Sequence, residues 1–444
     1  MNGAAPRIDW IARRSGPLRG EIGVPGDKSV SHRAIMLAAL ADGTSRIDGF
    51  LEGEDTRATA AIFAAMGVRI GQPAPGTRLV HGVGIDGLAA PAGVFDCGNS
   101  GTGMRLLAGL LAGQDFDSTL TGDASLRQRP MQRVTGPLAR MGARIEAQQG
   151  GLPPLRIRGH TGLNGIDYTP PVASAQVKSA LLLAGLRAKG ETCIREPRPT
   201  RDYTERMLAA FGWPIRFEPG VARLEGGHRL RATEVVVPAD FSSAAFFIVA
   251  ASLVPGSRLL LRGVGLNPRR TGLLDALRLM GADIRAHDRH ESGGERVADL
   301  EVRHAPLRGI DVPEALVPDM IDEFPILFIA AAAAEGVTRI RGAAELRVKE
   351  SDRIAMMARG LARLGIFVRE LPDGADIHGG VLGGGEVDSA GDHRIAMSFA
   401  VAGALAGAPL RIGDCANVAT SFPGFVALAQ AAGIALASLS RPGA

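Results

Sequence analysis

The chain has 444 residues, 46% of them hydrophobic and 22% charged, with a formal net charge of +4. That length exceeds one ordinary core, so two domains are expected, and aromatics at 4% leave few stacking platforms for single-stranded nucleic acid. The mild positive charge suits small anions better than a nucleic-acid-tracking face, and apolar runs such as A-A-F-F-I-V-A-A (244–251) are too short to span a bilayer.

The first residues, M-N-G-A-A-P-R-I-D-W, lack the apolar core of a signal peptide. Cys97, Cys193 and Cys415 are scattered and odd in number, which argues against a disulfide framework or a CxxC metal site and fits a reducing cytoplasm. Residues 24–34, V-P-G-D-K-S-V-S-H-R-A, lead into an alanine-rich apolar helix. Solvated charge normally lies along one helix face, but here it gathers at the helix start.

The same arrangement recurs along the chain. C-G-N-S-G-T-G-M-R (97–105), V-A-S-A-Q-V-K-S (172–179), P-A-D-F-S-S (238–243), P-D-M-I-D-E-F-P (318–325) and S-A-G-D-H-R-I-A-M (389–397) each precede an apolar helix expected to be buried on all sides. Between these come amphipathic helices that end on Gly67, Gly142, Gly212, Gly281, Gly365 and Gly433, spaced 68 to 84 residues apart. Each glycine reads as a left-handed helix stop followed by a strand. Two interleaved patterns in one order predict an α/β chain of six repeat units, three to a domain, with a crossover near V-V-V-P-A-D-F-S-S (235–243) and a small-ligand site in the cleft between the halves.

Helix N-termini offer unpaired N–H groups and a positive dipole end, so six of them predict an anion trap. The loops before the amphipathic helices add cations: S-L-R-Q-R-P-M-Q-R-V (125–134), P-R-P-T-R-D-Y-T-E-R-M (197–207), L-N-P-R-R-T-G (266–272) and E-L-R-V-K-E-S-D-R-I (345–354). Arginine and lysine on such loops suit phosphate and carboxylate. No P-loop precedes Lys28-Ser29, and no zinc motif or nucleophile elbow occurs.

P-G-D-K-S-V-S-H-R, G-N-S-G-T-G-M-R, S-A-Q-V-K-S-A, T-R-D-Y-T-E-R-M-L, R-V-K-E-S-D-R and D-H-R-I-A-M-S-F, met in order from about residue 16 to about residue 425, resemble the 5-enolpyruvylshikimate-3-phosphate synthase family. The resemblance implies two similar domains, each of three βαβαββ units around buried parallel helices (an inside-out α/β barrel). It also implies that the chain crosses twice, with 21–239 in one domain and 1–20 plus 240–444 in the other. The implied reaction moves the enolpyruvyl group of phosphoenolpyruvate to the 5-hydroxyl of shikimate 3-phosphate, on the shikimate route to chorismate and the aromatic amino acids. No metal and no organic cofactor are implied. The expected partners are these two anionic substrates, with no nucleic acid and no membrane, and the expected form is a cytoplasmic monomer.

By the same resemblance, Lys28, Ser29, Arg33, Ser174, Ala175, Gln176 and Arg201 match shikimate-3-phosphate contacts. Gly101, Arg129, Arg353 and Arg394, with Lys28 and Gln176, match the phosphoenolpyruvate pocket. Asp322, Lys349 and Glu350 match the catalytic centre, Asp322 and Lys349 also contacting shikimate 3-phosphate. The chemistry asks for two acid/base groups, because the hydroxyl must lose a proton and the methylene carbon must gain one. Asp322 suits the hydroxyl and Glu350 the methylene, with Lys28 assisting, although Asp322 also reads as an N-cap of the helix that follows. His32 reads as structural. Ser421 stands where many family members have a lysine, and glycine at 101 stands where glyphosate-tolerant relatives carry alanine. UDP-N-acetylglucosamine enolpyruvyl transferase is the nearest alternative, but that family carries a reactive cysteine on the loop matching S-L-R-Q-R-P, and this loop has none.

Overall fold

A computed structural model describes residues 7–159, 162–292 and 294–441. The chain separates into two units. One holds the chain up to Pro25, Ala239–His290 and the chain from Arg296 onward; the other holds Gly26–Pro238 and Glu291–Glu295. Each has its own hydrophobic core, centred on residues such as Phe247, Phe328 and Phe399 in the first and Phe63, Leu107 and Leu182 in the second.

Twelve α-helices occur among the described residues. In the unit around Gly26–Pro238 they are α1 (Lys28–Leu40), α2 (Glu54–Ala65), α3 (Gly101–Ala112), α4 (Gln132–Arg140), α5 (Ala175–Gly185) and α6 (Tyr203–Ala210). In the other unit they are α7 (Phe241–Leu253), α8 (Gly272–Leu279), α9 (Phe324–Ala332), α10 (Arg353–Arg363), α11 (His393–Gly403) and α12 (Phe425–Ala431). Odd and even helices differ as the sequence pattern anticipates. All thirteen residues of α7 and all nine of α9 are buried, whereas α4 buries only Val134, Pro137 and Leu138. Apolar residues on every side leave the odd helices no stable place but a core, and the even helices cover it from outside. The six glycines that stop the even helices all have positive φ, from 81° at Gly212 to 102° at Gly142. There a Cβ would be strained, and the left-handed turn sends the chain into a strand.

Among the described residues, three sheets surround each core. In the 26–238 unit, Ala41–Asp48, Thr77–Val83 and Arg69–Ala74 pair antiparallel; Ser118–Thr121, Leu152–Arg158 and Arg144–Gln148 form a second sheet, and Glu191–Arg195, Val221–Glu225 and Arg216–Glu218 a third. In the other unit the N-terminal segment is woven in twice. Arg7–Arg13 lies between Leu410–Gly413 and Ala435–Arg441, with Trp10 opposite Ile412 and Ser438. Arg19–Ile22 then pairs parallel with Arg258–Gly265. Small residues let the buried helices approach closely: a Cβ on Gly109 of α3 would sit 2.0 Å from the Ala180 carbonyl oxygen of α5. No described helix is long and apolar enough to cross a membrane.

Candidate functional site

Polar contacts tie the N-terminal turns of α1, α3 and α5 together. Asp27 caps α1, its carboxylate accepting from Val30 N at 2.9 Å. One residue on, Lys28 Nζ is paired with the buried Asp55 of α2. His32 is fully enclosed, with Nδ1 2.8 Å from Thr59 Oγ1 of α2 and Nε2 3.3 Å from Ser100 Oγ, the cap of α3. Burial first, then the charges of Lys28 and Arg33, push its pKa well below the ordinary histidine value, so His32 is neutral. Arg33 is 4% exposed. Its Nε donates to Thr204 Oγ1 at 2.7 Å, Nη2 to Ser179 Oγ at 2.8 Å, and Nη1 to the Ser29 carbonyl at 2.9 Å. Burial, and next the Arg201 charge, lower its pKa to about 10.

Gly101 is the first residue of α3, and Ser100 Oγ accepts from Gly103 N at 2.9 Å. Arg105, one turn on, donates to Gln176 Oε1 at 2.9 Å, and Gln176 Nε2 donates to Thr102 Oγ1 at 2.9 Å. The starts of α3 and α5 are thus bonded to each other. Arg129 Nη2 donates to Asn99 Oδ1 at 2.9 Å, which draws the S-L-R-Q-R loop over the start of α3. Ser174 caps α5, and Ala175 is its first residue. One turn from this start, buried Lys178 contacts Glu196 at 2.8 Å and Glu205 at 2.7 Å. Glu196 in turn accepts from Thr200 N at 3.1 Å, fixing the loop that carries Arg201.

The other unit gathers the starts of α7, α9, α10 and α11. Asp322 and Glu323 precede α9. Asp322 Oδ2 accepts from Arg270 Nη1 at 2.7 Å, and its Oδ1 lies 3.7 Å from Lys349 Nζ and 3.8 Å from Arg353 Nη1. Arg353 is 1% exposed. Its Nε donates to Asp392 Oδ2 at 2.8 Å and its Nη2 to Glu350 Oε2 at 2.6 Å. Burial alone would lower the Arg353 pKa, but Asp392, Glu350 and Asp322 outweigh it and raise the value. Burial alone would raise the Asp392 pKa, and the Arg353 charge reverses that to a net lowering. Arg394 Nη1 donates to the Asp322 carbonyl at 3.1 Å and to Glu323 Oε1 at 3.4 Å. Lys349 Nζ donates to Glu345 Oε1 at 3.0 Å.

Two expectations change. Asp322 does not cap α9: Glu323 occupies the cap position and makes no side-chain cap bond. The anion trap of six helix ends is also narrower than expected. Asp27, Asp240 and Asp392 spend carboxylates on the first N–H groups of α1, α7 and α11, which offsets the dipole charge there. The neutral caps are Ser100 and Ser174, so α3 and α5 keep the more anion-attracting ends.

The expected residues therefore fall into two groups. Lys28, Ser29, Arg33, Gly101, Arg129, Ser174, Ala175, Gln176 and Arg201 lie in the 26–238 unit, and Asp322, Lys349, Glu350, Arg353 and Arg394 in the other. Among the charged ones, Arg33 and Arg353 are the most enclosed, each bonded on several sides by protein. Arg105, Lys178, Arg270, Glu323 and Asp392 went unassigned, although all but Glu323 and Asp392 are basic residues in stretches already noted for charge. Ser421, in place of a lysine, ends the short helical turn Ala416–Thr420, with its hydroxyl buried and unpartnered among the described residues.

Comparison with known proteins gives a consistent picture. The family model for EPSP synthase (3-phosphoshikimate 1-carboxyvinyltransferase) matches residues 12–428. A 3-phosphoshikimate 1-carboxyvinyltransferase of Xanthomonas axonopodis pv. citri is 70% identical over 427 residues, 96% of this chain and 97% of the relative. One from Xanthomonas euvesicatoria pv. vesicatoria is 68% identical over 432 residues, 97% of this chain and 98% of the relative. A solved EPSP synthase from Acinetobacter baumannii superposes with a TM-score of 0.89 at 50% identity, covering 98% of this chain and all of that one.

Proposed function

Since the chain belongs to the EPSP synthase family, we infer that it transfers the enolpyruvyl group of phosphoenolpyruvate to the 5-hydroxyl of shikimate 3-phosphate, releasing phosphate. The reaction is an addition followed by an elimination. The hydroxyl oxygen bonds to C2 of phosphoenolpyruvate while the methylene carbon takes a proton. The C2–O bond to phosphate then breaks, and the methyl group returns a proton. The observation that carries the site assignment is the cluster around Arg353, where Asp322 and Glu350 stand on one guanidinium with Lys349 and Arg394 beside them.

Asp322 accepts the hydroxyl proton and holds the ring hydroxyls, with Lys349 as a further contact to shikimate 3-phosphate. Glu350 gives the proton to the methylene and recovers it in the elimination, a pairing of acid and base that two separate carboxylates allow. Arg353 positions Glu350, and its Nη1, buried without a hydrogen-bond partner among the described residues, supplies positive charge for the donor. Lys28, Arg129, Lys349 and Arg394 stabilise phosphate as it leaves. Ser29, Arg33, Ser174, Ala175, Gln176 and Arg201 bind shikimate 3-phosphate, with the serine-capped start of α5 contributing N–H groups. Gly101 and Gln176 border phosphoenolpyruvate. The enzyme works as a cytoplasmic monomer without a metal or organic cofactor.

Incubation of the purified protein with phosphoenolpyruvate and shikimate 3-phosphate, followed by phosphate measurement, tests the reading. Release is expected with shikimate 3-phosphate and not with UDP-N-acetylglucosamine, and the reverse pattern would overturn it.

A further inference from the structure

Arg270 sits in the loop ahead of α8 and takes no part in the roles given above. Its side chain is 7% exposed, yet it is set among carboxylates. Nη1 donates to Asp322 Oδ2 at 2.7 Å and stands 3.7 Å from Glu323 Oε1. Nη2 donates to Ser242 Oγ, and the same nitrogen is 3.9 Å from Asp240 Oδ1, the cap of α7. Ser242 Oγ itself donates to Glu323 Oε1, the oxygen that also accepts from Arg394. One planar guanidinium therefore joins the start of α7 to the two residues that open α9.

We propose that Arg270 is a positioning residue for the transfer reaction, fixing the Asp322 carboxylate toward the shikimate ring and, through Glu323, the guanidinium of Arg394. The proposal rests on the assignment of Asp322 as base and hydroxyl ligand. A carboxylate joined by one bond to Cβ can rotate, and its reacting oxygen is useful only in one orientation. Nη1 on Oδ2, with Nη2 of the same rigid fork anchored on Ser242 Oγ, sets that rotation and leaves Oδ1 facing Lys349 and Arg353. Lysine in its place would keep the charge and lose the fork. A purely structural role is the competing account, since Arg270 also neutralises buried Glu323 and Asp240. Such a role predicts lost stability without any special dependence on Asp322.

A double-mutant cycle separates the two accounts. Shikimate 3-phosphate affinity by calorimetry, and kcat and KM by phosphate release, are measured for wild type, R270Q, R270K, D322N and R270Q/D322N, with thermal melts to confirm folding. If Arg270 acts through Asp322, R270Q weakens binding about ten-fold in the wild type and hardly at all in the D322N background, the non-additivity expected of residues in one network. R270K should lie between R270Q and wild type. R269Q, which removes the neighbouring cation paired with Asp319 at 3.1 Å, should leave kcat within about two-fold, as a change outside such a network usually does. Equal losses from R270Q in both backgrounds would overturn the proposal, as would a folded R270Q enzyme with unchanged binding and turnover. D322N with normal binding and turnover would instead remove the Asp322 assignment, and the Arg270 role with it. Should R270Q fail to fold, the same cycle is run with R270K.

Discussion

Arg353 Nη2 donates to Glu350 Oε2 at 2.6 Å while Nε of the same guanidinium donates to Asp392 Oδ2 at 2.8 Å. Glu350 is 28% exposed at its side chain and Asp392 is wholly buried. The arginine thus links an anchored carboxylate to an accessible one. Such a pair holds Glu350 in place without enclosing it, which is what a proton-transfer group requires.

Glu350→Gln should lower kcat by about 10²-fold or more, the usual contribution of a positioned acid–base group. Glutamine keeps the size, and its amide oxygen can still accept from Arg353. Shikimate 3-phosphate should therefore still bind, as titration calorimetry will show. Turnover within a few-fold of wild type would remove Glu350 from the mechanism.

Acid should destabilise the protein through His32. Its pKa is depressed in the folded state, whereas the unfolded chain takes up a proton near the ordinary value of about 6.5. Below that value the unfolded state binds more protons than the native one, so stability falls as pH drops from about 6.5 toward the folded pKa. The slope due to this one group reaches about 1.4 kcal/mol per pH unit. Glutamine can still bond Thr59 and Ser100 but cannot titrate. Urea melts of His32→Gln between pH 5 and 7 should show a shallower dependence than wild type, and parallel curves would exclude His32 as the source.

Lys178 of α5 stands against two buried carboxylates, Glu196 at 2.8 Å and Glu205 at 2.7 Å. Burial raises the Glu205 pKa even with that lysine in contact. Lys178→Met fills similar space but strands two buried acids, and breaking such a cluster costs about 3–5 kcal/mol. Denaturant titration should show that loss. A change under about 1 kcal/mol, the worth of an exposed pair, would mean the cluster is wetter than its burial implies.

Periodic features were legible in the sequence, and features set by packing were not. Gly67 and its five counterparts could be read as left-handed stops because the requirement is local to the backbone. Apolar α7 could be read as buried because no face of it suits water. The Arg270–Asp322 bond joins residues 52 apart in sequence, and no local pattern says which arginine of L-N-P-R-R-T-G reaches a carboxylate. Glu323 was hidden for a related reason: two adjacent acids before a helix look equivalent until packing turns one toward Ser242 and Arg394. The aspartate caps of α1, α7 and α11 were visible as residues, but the expectation of an anion trap overlooked that a capping carboxylate occupies the groups an anion would use.

Glyphosate should inhibit the enzyme competitively with phosphoenolpyruvate, and Gly101→Ala should relieve that inhibition. Gly101 opens α3 and is absent from the left-handed glycines, so the backbone accepts alanine, which also favours helix over glycine. Space is what alanine changes. Its Cβ would lie 2.9 Å from Arg105 Nη1 and 3.3 Å from Arg129 Nη1. Both atoms are far ends of flexible side chains, so they can shift without disturbing the fold. Arg105 is held by Gln176 and Arg129 by Asn99, and displacing either narrows the space beside the proposed donor phosphate. Glyphosate is longer than phosphoenolpyruvate and should lose more from this, by roughly the 1–3 kcal/mol that overpacking a filled site costs. The checks are the inhibition constant of glyphosate and the KM of phosphoenolpyruvate in both proteins. Equal weakening of the two ligands would mean that the methyl does not discriminate by ligand length, and a wild type unaffected by millimolar glyphosate would show that other residues already exclude it.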